Sequence, residues 1–188
     1  MLWNIPNILT SLRIVLIPLI VGAFYLPTEH SHQICAAIFA LAAVTDWLDG
    51  YLARRWQQTS AFGAFLDPVA DKLMVATALV LLVESDPTPL LAIPALIIIG
   101  REITISALRE WMASLGKRNT VAVSYYGKFK TAAQMGAIFL LLYHHDFIGL
   151  PVQTLGYVLL YISAILTLWS MIDYLRAAWP TLADEGGK

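Results

Sequence analysis

Four aspartates crowd into one short stretch of an otherwise apolar chain: Asp46, Asp49, Asp67 and Asp71. Asp46 and Asp49 are three positions apart and Asp67 and Asp71 four apart, so on helices each pair shares a face. Four carboxylates in one pocket cannot all stay ionised without cations. Oxygen-only ligands suit hard divalent ions such as Mg²⁺, Mn²⁺ or Ca²⁺. No Cys or His stands near enough for a typical zinc site. Mg²⁺ commonly completes its shell with substrate phosphates, and two metals can clamp a pyrophosphate and stabilise the charge of a leaving group. The competing reading is a set of buried ion pairs, with Arg54, Arg55 and Lys72 as nearby partners. Gly50 follows Asp49, Gly63 lies four residues before Asp67, and Ala53 four after Asp49. Small residues there let something approach the backbone closely, either a neighbouring helix or a nucleotide.

The elements that carry these residues are apolar. The chain is 59% hydrophobic and 13% charged over 188 residues, where soluble domains carry about a quarter charged residues. Six segments reach the length a bilayer core requires, roughly 7–26, 33–54, 62–84, 90–113, 124–143 and 151–176. The expected fold is therefore all-α, a polytopic membrane protein with six transmembrane helices in a single domain over 1–188. A polar tail at 180–188 is expected to fray. Short turns separate the spans: Pro27-Thr28, 86–89, Gly116 and 149–151. The second span runs into the third through a short loop, so the two are expected to be antiparallel neighbours with both aspartate pairs at similar depth.

The 12 Lys and Arg residues avoid the connections near 27–32, 85–89 and 144–150. Arg55, Lys117 and Arg118 fall in the opposite loops, so both termini and the aspartates face the cytoplasm. His30, His32, His144 and His145 fall on the far side and read as solvated loop residues rather than metal ligands. Cys35 is a packing residue in an apolar run. The first segment lacks a basic n-region and reads as a retained helix rather than a signal peptide. A net charge of −1 gives no field that would favour nucleic acid.

The run Asp46-Trp-Leu-Asp49-Gly50-Tyr-Leu-Ala53-Arg54, followed by Gly63, Asp67 and Asp71, resembles the CDP-alcohol phosphotransferase signature at all eight fixed positions. The opening from Asn4 through Asn7 and Thr10 to Arg13, the stretch Arg101-Glu102 to Arg109-Glu110, and Gly127-Lys128 to Lys130-Thr131 also resemble bacterial members of that family. The resemblance implies a homodimer in the bacterial inner membrane, with the site open to the cytoplasm. It implies that Asp46, Asp49 and Asp67 are metal ligands and that Asp71 is the general base, with a further role as ligand left open. Gly50, Ala53, Arg54 and Gly63 would contact the CDP moiety of a CDP-lipid. Asn7, Thr10 and Arg13 recur every three residues and would add polar contacts to the CDP-lipid from the first helix; the alternative is an interfacial cap with a snorkelling Arg.

The acceptor is read from the remaining cations. Arg101 stands in mid-segment after an apolar run, where it needs a polar cavity or a partner. Arg109 is eight residues on, about 80° around a helix, so both can border one cavity. Lys128 and Thr131 share a face of the fifth segment, and Lys130 points elsewhere. Glu102 and Glu110 are possible ion-pair partners. With metals matching the aspartates, the basic residues call for an anion, and Arg suits bidentate phosphate recognition. With the resemblance, this points to phosphatidyl transfer from CDP-diacylglycerol to glycerol 3-phosphate, assisted by Mg²⁺ or Mn²⁺, two per site. Direct displacement is favoured because Cys35 and the histidines are badly placed as nucleophiles; an aspartate nucleophile stays open. Rival readings are another acceptor such as serine or inositol phosphate, a membrane prenyltransferase, and an ion-coupled transporter. The second lacks a repeated site-bearing half here, and the third lacks inverted repeats and broken helices.

Overall fold

A computed structural model describes residues 5–56, 61–115, 126–146 and 149–185; the side chains of 5–6, 53–54, 56, 61–62, 64, 126–128 and 180–185 lie outside that description. Six helices follow in order: α1 (Ile5–Phe24), α2 (Ser31–Trp56), α3 (Ala61–Ser85), α4 (Pro89–Ser114), α5 (Tyr126–Tyr143) and α6 (Val152–Glu185). There is no strand element among the described residues. Each helix matches one expected apolar segment. α6 runs on to Glu185, past the expected end at 176, so the polar tail begins as helix.

Among the described residues, four helices, α1, α2, α4 and α6, are long and apolar enough to cross a membrane. α3 falls short because Asp67, Asp71, Lys72 and Glu84 interrupt its apolar run. In α5 the apolar stretch is Phe129–Tyr143. The surface is apolar on every helix, with Leu19, Val44, Phe65, Leu96, Phe129 and Ile165 all exposed. So much exposed apolar area is what a lipid solvent requires.

The core joins Leu16 and Ile20 to Phe39, Leu79, Ile98, Ile138, Leu142 and Leu160. Ala36, Ala42, Ala78, Ala95 and Ala137 are buried among them, and small residues at such contacts let helix backbones approach closely. Gly156 is the tightest case: a Cβ there would meet the Leu141 side chain at 2.8 Å and its backbone nitrogen at 3.3 Å, so α5 and α6 touch through it.

One neighbour relation differs from expectation. α2 and α3 make little direct contact; α1 packs extensively against both. The polar face of α1 explains this, because its Arg13 bonds to carboxylates on both helices. At the far ends of the helices, the Tyr25 hydroxyl donates to Glu84 at 2.6 Å, and Tyr157 donates to Asp86. His32 is not a solvated loop residue. It sits in the first turn of α2, half-buried, with its ring stacked on His144 at 4.8 Å. About 21 Å of helix rise separates it from Asp46.

Candidate functional site

α1 contributes a polar stripe to an apolar helix. Asn7, Thr10 and Arg13 are three residues apart and all buried. Arg13 does not snorkel: it is 1% exposed, and its guanidinium lies among four carboxylates. Nη1 donates to Asp46 Oδ1 at 2.8 Å and to Asp71. Nη2 donates to Asp49 Oδ2 at 2.5 Å and to Asp67. Thr10 Oγ1 donates to the same Asp49 oxygen at 3.2 Å. The i, i+3 and i, i+4 spacings on α2 and α3 therefore do bring all four aspartates to one point, and an arginine from a third helix centres them.

The four are not equivalent. Asp49 has a side chain only 6% exposed, held between Thr10 and Arg13. Asp46, Asp67 and Asp71 are 42%, 42% and 47% exposed, and all three line a cavity of about 420 Å³. Asp46, Asp49 and Asp67 each offer an oxygen within 4.8 Å of the others, a spacing that one ion could bridge. Asp71 is not one of those three. All the donors are hard carboxylate oxygens, which fit Mg²⁺ or Mn²⁺. Gly50 on α2 and Gly63 on α3 are partly exposed beside these residues, and the side chains of Ala53 and Arg54 lie outside the described residues.

Basic groups line another part of the cavity. Lys72, Lys130 and Thr131 face it, together with Glu102, Gln134 and Met135. Lys130 does not point elsewhere: it is buried and donates to Glu102 Oε1 at 3.2 Å. Lys72 donates to Ser106, one turn along α4 from Glu102. The packing of α5 against α2, α3 and α6 sets this orientation, which its own sequence could not show. Lys128 has its side chain outside the described residues.

The two arginines of α4 stand outside the cavity lining. Arg101 donates to Glu102 at 2.7 Å and to Ser170 at 3.2 Å. Arg109 donates to the Tyr174 hydroxyl at 2.6 Å. Both guanidinium carbons lie over the Tyr174 ring, at 5.7 and 5.2 Å from its centre. They do border one feature, as their helical spacing requires, but that feature is an aromatic ring on α6. Glu102 was foreseen as an ion-pair partner and serves two cations. Ser106, Gln134, Ser170 and Tyr174 were not foreseen, and nothing in their local sequence marks them.

A family model described as CDP-alcohol phosphatidyltransferase matches residues 3–169. The chain is 57% identical to the CDP-diacylglycerol–glycerol-3-phosphate 3-phosphatidyltransferase of Yersinia pestis strain Pestoides F over 181 residues, 96% of this chain and 98% of that one. The protein of the same description from Haemophilus influenzae is 58% identical over 185 residues, 98% of each chain. That of Pectobacterium atrosepticum is 58% identical over 178 residues, 95% of this chain and 96% of the other.

Proposed function

The chain belongs to the CDP-alcohol phosphatidyltransferase family, and from that membership we infer that it transfers the phosphatidyl group of CDP-diacylglycerol to glycerol 3-phosphate, releasing CMP. It is a transferase of phospholipid biosynthesis in a membrane. The observation that carries the reading is the convergence of Asp46, Asp49, Asp67 and Asp71 on Arg13, at a cavity that Asp46, Asp67 and Asp71 line together with Lys72 and Lys130. Purified protein given CDP-diacylglycerol and a panel of acceptors should make phosphatidylglycerophosphate from glycerol 3-phosphate. Equal use of serine or plain glycerol would overturn the acceptor.

Divalent metal fits the site, with Asp46, Asp49 and Asp67 as the holders. Two ions, Mg²⁺ or Mn²⁺, would when bound neutralise the pyrophosphate of the CDP-lipid and make CMP a better leaving group. Asp71 is the general base. It shares Arg13 Nη1 with Asp46, lies outside the close set of three and opens onto the cavity, so it can take the proton of the acceptor's primary hydroxyl as that oxygen attacks phosphorus. Lys130 and Thr131 receive the acceptor's phosphate. Arg101 acts from behind by occupying Glu102, which would otherwise hold Lys130 alone; Arg109 and Lys128 add positive charge. Gly50, Ala53, Arg54 and Gly63 contact the CDP moiety. Both substrates fixed at one cavity gain from proximity.

Six spans, with both termini and the site at the cytoplasmic face of a bacterial inner membrane, agree with Arg55 in the last turn of α2 and Arg109 near the end of α4. The far connections carry histidine and acidic residues instead. The family resemblance adds a homodimer.

A further inference from the structure

Among the described residues that line the cavity, Gln134 carries a buried polar atom that the scheme above does not use. Gln134 on α5 is 6% exposed, lines the cavity, and its Oε1 has no hydrogen-bond partner among the described residues. It lies one helical turn beyond Lys130. Around it the lining is apolar: Ala42, Met74, Val75 and Met135. A buried amide oxygen left without a donor is costly, and such groups in native proteins call for an explanation.

A carbonyl oxygen accepts hydrogen bonds and donates none. It therefore repels the oxygens of an ionised phosphate and suits a hydroxyl. On the proposed acceptor, three carbons carry three oxygen functions. The phosphate goes to Lys130 and Thr131, and the primary hydroxyl goes to Asp71. The secondary hydroxyl between them has no assigned partner. We propose that Gln134 is a specificity-determining residue whose Oε1 accepts a hydrogen bond from the secondary hydroxyl of glycerol 3-phosphate. This rests on the acceptor assignment above and refines it. Sites built to bond a substrate hydroxyl reject analogues that lack it, because their own polar group is then stranded.

The test compares glycerol 3-phosphate with 3-hydroxypropyl phosphate, which keeps the phosphate and the primary hydroxyl and lacks only the secondary one. Wild-type protein in detergent with CDP-diacylglycerol should favour glycerol 3-phosphate in kcat/KM by roughly tenfold to a hundredfold. Gln134→Met keeps the length and removes the oxygen. It should lower kcat/KM for glycerol 3-phosphate, leave the analogue nearly unchanged, and bring the ratio to within about threefold of unity. Gln134→Glu keeps an acceptor oxygen. Its added charge acts on both phosphorylated acceptors alike, so the ratio should stay at or above about tenfold. A merely structural role would lower both acceptors together and leave the ratio intact, which overturns the proposal. A wild-type ratio near one overturns it without any variant. Wild type that uses neither phosphorylated acceptor refutes the acceptor assignment itself, and Gln134 with it.

Discussion

Replacing Arg13 with glutamine should destabilise the metal-free protein and leave the metal-loaded protein almost unharmed. One guanidinium serves four carboxylates, so the cluster with Arg13 carries a formal charge of −3 and without it −4. Asp49 dominates the cost, because its side chain is 6% exposed and cannot rehydrate. Breaking a buried pair from one side costs about 3–5 kcal/mol. The other three aspartates are over two-fifths exposed, and such pairs contribute only about 0.2–1 kcal/mol each. Taking the lower end, the loss is about 3 kcal/mol. At about 2–4 °C per kcal/mol for a chain of this size, that is a fall of roughly 6–12 °C in Tm. In saturating Mn²⁺ the bound cations replace the lost positive charge, and the gap should close to about 2–4 °C. Mn²⁺ should also bind R13Q more tightly, since a competing cation has left the same oxygens. The assay is the thermal shift of intrinsic fluorescence, for which the 6 tryptophans suffice, with EDTA and with Mn²⁺. Equal melting of R13Q and wild type in EDTA, or an equal gap in both conditions, would refute the view that Arg13 and metal share one set of ligands.

Asp71→Asn should abolish turnover while Mn²⁺-dependent binding of CDP-diacylglycerol survives; near-normal turnover would remove Asp71 as the base. Asp46→Ala and Asp67→Ala should each lose Mn²⁺ affinity in calorimetry as well as activity, and unchanged affinity in either would take that residue out of the metal shell. Arg101→Ala should raise KM for glycerol 3-phosphate, because Glu102 without Arg101 holds Lys130 more tightly, and move KM for CDP-diacylglycerol much less. Gly156→Leu should lower Tm sharply without a specific change in KM, because the new side chain meets Leu141 where α5 and α6 touch.

The helices were legible because lipid leaves few choices: an apolar run of sufficient length becomes a helix, and turn residues end it. The aspartate cluster was legible because spacings of three and four select one helix face. Neighbour relations were not. A short loop suggested that α2 lies directly against α3, but α1 packs against both, drawn by carboxylates more than thirty residues away in sequence. A usable signal existed: Arg13 stands in a long apolar helix with Thr10 and Asn7 on its face, and such an Arg must find a partner. Lys130 was misjudged because its direction depends on how α5 rolls against its neighbours. Gln134 left no trace in the sequence, since a lone amide between alanines and a methionine gains meaning only from the cavity it faces.

The central claim is a single, direct transfer from CDP-diacylglycerol to glycerol 3-phosphate at the aspartate cavity, and the configuration at phosphorus tests it. CDP-diacylglycerol carrying a chiral phosphorothioate at the phosphorus attached to diacylglycerol would be turned over with glycerol 3-phosphate and Mg²⁺, and the product's configuration determined. One displacement, with Asp71 taking the acceptor's proton and CMP leaving, is expected to give inversion. Retention would mean two displacements through a covalent intermediate and would contradict the claim.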